Sequence, residues 1–137
     1  MKTKYLLLKL VALTLVVSGQ AAIGADTVVT TLQAEYRTAG AGTFSADTGK
    51  AAWKREVTAS DGKLRSCTGC HGPDLTQQGK HAQTQKIIAA MAPSVNPKRL
   101  TDRKKVEKWL QRNCKWTWGR ECTPQEKGDI LAYLSTL

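Results

Sequence analysis

Apolar residues recur at helical spacing along most of this chain. Val28, Val29, Leu32 and Tyr36 fall near one face of a segment from Thr27 to Thr38, with polar residues between them. That spacing predicts an amphipathic helix, and Gly40-Ala41-Gly42 should break it. Ser45 is placed to cap a second helix, roughly Ala46 to Thr58, with Ala51, Ala52, Trp53 and Val57 as its apolar positions. Asp61-Gly62 closes that unit. From Gly72 to Pro97 the chain is rich in Gly, Pro and polar residues. The stretch Lys86 to Met91 is its one candidate for a short helix, stopped by Pro93 and Pro97. Thr101 then caps a strong helix, about Asp102 to Asn113. Thr123-Pro124-Gln125-Glu126 has the form of a capping box with proline at the first helical position. The helix that follows, to about Leu137, carries Ile130, Leu131, Leu134 and Leu137 on one face. No strand pattern and no internal repeat stands out, so the expectation is an all-α domain.

The first residues change the picture of where the chain works. Lys2 and Lys4 precede an apolar run from Tyr5 to Val17, broken by Lys9, and small residues follow from Ser18 to Ala25. This is the pattern of a secretory signal peptide, with cleavage expected after Ala25 or Ala22. The run is about 13 residues, against the roughly 20 of a spanning helix, and nothing later could cross a membrane. The expected division is therefore a cleaved leader, 1–25, and one domain, 26–137. Export implies an oxidising compartment, a bacterial periplasm. The chain has a formal net charge of +10; removing the leader's three lysines leaves +7. A basic surface can steer an acidic partner. No basic-aromatic stripe or nucleic-acid motif appears, which argues against DNA or RNA as a partner. Aromatic residues are only 6% of the chain, a thin supply for a core, and a large apolar cofactor would supply packing volume.

Cys67-Thr68-Gly69-Cys70-His71 is the most specific chemistry in the sequence. Two thiols separated by two residues on one helical turn can add to the two vinyl groups of a porphyrin, and the adjacent imidazole can then ligate the iron. Cys-x-x-Cys-His is the attachment pattern of a c-type haem. A thioredoxin-like redox pair is the competing reading, but no βαβ pattern accompanies the motif. Half a zinc site is another, but zinc needs a second pair of ligands at close spacing, and Cys114 and Cys122 are too far apart for one.

His71 accounts for one face of such an iron. Three residues compete for the other. Met91 is the only methionine outside the leader, and methionine is the usual partner of histidine in an electron carrier. His81 is ten residues past His71, a short loop with which to reach the opposite face. Asn113 is the third. With Val106, Trp109 and Leu110 it completes one helix face, while Lys104, Lys105, Lys108 and Arg112 lie on the other side. A buried amide needs a partner. Asn113 can also be read as an ordinary helix C-terminal residue, since Asn tolerates left-handed geometry. Cys114 and Cys122, in an exported chain, are expected to pair; free thiols beside the haem are the alternative. The bridge would pin the residue next to Asn113 and join the ends of two helices.

The stretches Cys67 to Leu75 and Gly128 to Leu134 resemble class I cytochromes c. More narrowly, Met91-Ala92-Pro93-Ser94-Val95-Asn96-Pro97, Lys105 to Trp109, Arg112-Asn113-Cys114 and Gly119 to Thr123 look like the sphaeroides haem protein family, with cytochrome c double-prime a close relation. The resemblance covers most of the chain after the leader and is least distinctive before about Ser60. It implies an all-α class I cytochrome c-like fold around one covalently bound haem c. It implies a disulfide following the distal ligand, which corresponds to Cys114 and Cys122. It also implies that the distal ligand is the residue before the first of those cysteines, here Asn113. In function it implies a haem protein that accepts an electron from a dihaem or other c-type cytochrome and binds oxygen or nitric oxide. A plain electron carrier with Met91 as ligand remains the alternative. So does a small haem reductase or oxidase acting on oxygen, nitric oxide or peroxide.

Overall fold

The computed structural model describes residues 24–137; the signal-peptide expectation lies in large part outside them. Five helices and two very short strand pairs follow in order: α1 (Ala25–Thr38), α2 (Ala46–Lys54), β1 (Val57–Thr58), β2 (Leu64–Arg65), α3 (Thr68–His71), β3 (Gly79–Lys80), β4 (Ile87–Ile88), α4 (Arg103–Trp118) and α5 (Pro124–Ser135). No helix among the described residues is long and apolar enough to cross a membrane.

The core forms where α5 lies across α2 and α1. Val28, Val29, Leu32 and Tyr36 of α1 are all buried, as the periodicity requires, and meet Ile130, Leu131 and Leu134 of α5. Gly49 makes the α2–α5 approach possible: a Cβ there would overlap the main-chain carbonyl of Asp129 and meet Tyr133. Asp129, itself buried, accepts hydrogen bonds from Ser45 N at 2.8 Å and Gln125 Nε2 at 3.1 Å, so its burial is satisfied. Thr123 and Glu126 form the reciprocal capping box at the start of α5, with Pro124 in the first turn.

Four local expectations are corrected. First, α2 ends at Lys54, and Val57–Thr58 instead pair antiparallel with Leu64–Arg65 across the Asp61-Gly62 turn, where Gly62 has φ +77°. Second, Lys86 to Met91 is not helical. Ile87–Ile88 pair with Gly79–Lys80, and a hairpin closes between them through His81 N to Lys86 O at 2.9 Å and Gln85 N to His81 O at 2.9 Å. Two adjacent β-branched residues favour that extended choice. Third, Asp102 rather than Thr101 caps α4, its carboxylate accepting from Lys105 N at 3.0 Å. Fourth, α4 does not stop at Asn113. It runs on to Trp118 because no breaker occurs before Gly119, whose left-handed backbone (φ +69°) ends it.

A candidate haem site

α3 is a single turn, and it carries the attachment pattern. Cys67 opens it, Cys70 and His71 close it, and Gly72 leaves it with φ +77°. His71 N and Gly72 N bond back to Cys67 O and Thr68 O at 3.1 and 2.8 Å. The β3 strand lies directly on this turn: a Cβ on Gly79 would overlap the Cys70 carbonyl and press on His71. Ala82 N adds a contact to Cys70 Sγ at 3.3 Å. Cys67 and Cys70 form no disulfide. Burial pushes the Cys67 thiol up to about 11, with Arg55 opposing and Cys70 adding to the shift. A thiol held protonated in this way is unlike the acidic cysteine of a redox pair. No group of three or more His, Cys, Asp or Glu side chains that could hold an ion converges among the described residues.

His71 rests against Trp53 of α2, ring centroids 5.1 Å apart, and Trp53 in turn meets Tyr133 of α5. The imidazole is thus referenced to the α2–α5 core. Burial, with a smaller contribution from Arg99, holds its pKa down to about 4. Nδ1 is buried and has no hydrogen-bond partner. A neutral imidazole with an unsatisfied buried nitrogen, beside two thiols one helical turn apart, fits the donor set of a covalently attached haem.

Asn113 lies in the interior of α4, five residues before its end. It is half-buried, as is Leu110; Val106 is buried, while Trp109 is 49% exposed. The side chain of Asn113 makes no hydrogen bond to another described residue. Cys114, next to it, is joined to Cys122 by a disulfide with Cα atoms 5.5 Å apart. The segment between those cysteines is helical as far as Trp118. The turn after Asn113 reaches the attachment region through Trp116. Arg65 Nη1 donates to Trp116 O at 3.0 Å, and the His81 ring stacks on its indole at 6.3 Å. A cavity of about 340 Å³ opens between them, lined by Cys70, Arg65, Ala82 and Trp116 among others. A larger one of about 440 Å³ lies between α2 and α5, away from the motif.

Met91 and His81 have local roles. Met91 packs against the core cluster, and the main-chain N–H groups of Met91 and Ala92 both donate to Leu75 O, at 2.9 and 3.0 Å. Arg99, whose charge reaches His71, donates to the carbonyls of Ala89 and Ala90 immediately before Met91. Met91 is therefore tethered to the same stretch of chain as His71. The Nδ1 of His81 accepts from Gln83 N and Thr84 N at 3.3 and 3.2 Å. Sequence reasoning missed Trp53, Arg65 and Arg99. Trp53 was visible only as one apolar position of α2, and nothing local to either arginine marks it.

Comparison with known proteins places the chain among relatives. A family model described only as a domain of unknown function, DUF1924, matches residues 39–134. The cytochrome c-type protein SHP of Cereibacter sphaeroides is 44% identical over 123 residues, 90% of this chain and 94% of that protein. A solved structure of oxidised SHP, described as an oxygen-binding cytochrome c, superposes with a TM-score of 0.71 at 42% identity, covering 80% of this chain and 96% of the other. The solution structure of cytochrome c'' from Methylophilus methylotrophus, described in terms of haem-ligand detachment, gives a TM-score of 0.69 at 33% identity, covering 82% and 93%. The fold is that of a helical class I-type cytochrome c. On this evidence the chain belongs to the SHP and cytochrome c'' family, monohaem cytochromes whose cofactor is one covalently bound haem c.

Proposed function

We propose that Cys67 and Cys70 hold the haem through thioether bonds, that His71 and Asn113 are its two axial ligands, and that Asn113 gives way on reduction to admit a diatomic gas. When bound, the haem supplies the one-electron centre and the coordination position. His71 offers a neutral imidazole fixed against Trp53. Asn113 offers an amide oxygen, a hard and weak ligand that suits ferric iron better than ferrous. The observation that carries this reading is the position of Asn113 inside α4. Gly119 ends that helix, so Asn113 is not needed as a terminal residue, and its half-buried amide has no hydrogen-bond partner among the described residues. The similarity to SHP, described as oxygen-binding, supports oxygen as one ligand, and the family resemblance adds nitric oxide. Electrons come from a dihaem or other c-type cytochrome, and the protein works in the periplasm after its leader is removed.

Spectra of the holoprotein test this. Asn113→Ala is expected to change the ferric spectrum and Met91→Leu to leave it unchanged; the opposite pattern overturns the assignment. Asn113→His is expected to give a low-spin, bis-histidine haem. The ferrous protein is expected to take up carbon monoxide rapidly, and indifference to carbon monoxide would remove the gas-binding reading.

A further inference from the structure

Arg65 precedes Cys67 by two residues, and Trp116 follows Asn113 by three. The two side chains meet closely. The guanidinium carbon of Arg65 stands 3.5 Å from the indole centroid of Trp116. Nη1 also donates to the Trp116 carbonyl at 3.0 Å, and Nη2 bonds Asp61 at 2.7 Å. Only 17% of the Arg65 side chain is exposed and its bond to the Trp116 carbonyl is part-buried, so that bond and the stacking are more shielded from water than a surface ion pair such as the one with Asp61. The carbonyl it takes is one of the last four of α4, which have no partner within the helix. Its positive charge also suits the negative end of the helix dipole. The His81 ring packs on the same indole.

Residues three apart on a helix share a face, so Asn113 stands one turn back from Trp116 on the side that Arg65 holds. We propose that Arg65 is a positioning residue. It clamps the last turn of α4 to the chain entering the attachment motif and thereby sets how readily Asn113 leaves the iron. This rests on the reading of Asn113 as distal ligand. Neither Arg65 nor Trp116 is assigned as a ligand; both act through the placement of Asn113. Asp61 holds Arg65 from the opposite side, so the clamp links the β1–β2 turn, the proximal attachment and the distal helix.

The test uses holoprotein with Arg65→Met, Arg65→Lys and, as reference, Asn113→Ala. Arg65→Met is expected to shift the ferric haem toward high spin and to raise its affinity for added imidazole by about tenfold, the order of one shielded charge-assisted contact. Arg65→Lys is expected to restore part of both. A clamp that merely stabilised the fold would lower the unfolding temperature and leave the spectrum and imidazole affinity at wild-type values. That result, with Asn113→Ala altered, overturns the proposal. If Asn113→Ala is also unaltered, the ligand reading fails first and the clamp falls with it. Should Arg65→Met not accumulate as holoprotein, Trp116→Leu removes the stacking surface and keeps the carbonyl. A smaller shift in the same direction then supports the clamp, and no shift overturns it.

Discussion

The α2–α5 crossing and the stretch from β1 to the end of α4 are built differently. At the crossing the backbone is continuous helix, Gly49 lets the two axes touch, and the buried carboxylate of Asp129 is satisfied by Ser45 and Gln125. Between β1 and β4 the elements are two to four residues long, and Leu64 and Ile87 are 66% and 63% exposed. The first region is determined by its own packing. The second takes its shape from a few specific contacts: Trp53 on His71, Gly79 on Cys70, Arg65 on Trp116. His71 meets the α2–α5 crossing through the ring of Trp53, and Leu75, Leu100, Val106 and Trp118 extend the same core into the second region.

Substitutions in the two regions should therefore have different consequences. The largest effect is expected from Gly49→Val. Its side chain would occupy the place of the Asp129 carbonyl, and helix backbone cannot yield as a flexible side chain does. A loss of about 3 kcal/mol or more is expected in denaturant unfolding, with the haem spectrum normal in whatever fraction folds. Reduction of the Cys114–Cys122 bridge should come next. A loop this short contributes about 2.5 kcal/mol by chain entropy. Because the bridge is adjacent to Asn113, its loss should also move the ferric spectrum, as Gly49→Val should not.

Gly79→Ala tests the converse. Its Cβ would press on the Cys70 carbonyl and on His71, so strain falls on α3 rather than on the core. Overpacking of this kind costs about 1 to 2 kcal/mol. The sharper readout is the proposed proximal ligand, His71: resonance Raman of the iron–histidine bond should shift while far-ultraviolet circular dichroism stays that of the parent. A changed helix signal with an unchanged proximal band would erase the distinction between the two regions.

The same contrast governs what could be read in the sequence. α1 and α5 were legible because each buries a face defined by its own spacing, and α5 carries its start signal in four residues. The Cys67, Cys70 and His71 pattern stands out in the sequence because the three fall within five residues. The short strands do not, since Ile87–Ile88 is extended only because Gly79–Lys80 lies beside it. The end of α4 was misread for a related reason. Asn113 looked terminal because the apolar stripe ended there, yet Cys114, Thr117 and Trp118 continue the buried side of the helix. Arg65 and Arg99 were invisible because their partners are 51 and roughly ten residues away and are main-chain carbonyls, which sequence composition does not distinguish.

The smallest predicted effect concerns pH and the junction of α2, α4 and α5. Glu126 receives Arg120 through two hydrogen bonds, at 2.8 and 2.7 Å, Arg55 at 3.0 Å, and the main-chain N–H of Thr123 at 2.9 Å. The Arg120 hydrogen bonds, with those from Thr123 and Arg55, hold its carboxyl down at about 2, against the opposing effect of burial. A depressed folded-state value means that this stabilisation is complete above the ordinary glutamate range, near pH 4.5, and is lost as the pH falls toward 2. Both arginines are substantially exposed, so solvent screening should limit the loss to under about 1 kcal/mol. Unfolding free energy measured between pH 5 and pH 2 should fall less steeply in Glu126→Gln than in the parent. Arg55 and Arg120 also lie over the Trp118 ring at the end of α4, at 3.9 and 5.6 Å, so the network borders α4 without including Asn113. A Glu126→Gln protein whose pH slope matches the parent would show that this junction is held by packing alone. One whose ferric spectrum changed would show that the α2–α5 region is coupled to the proposed distal ligand.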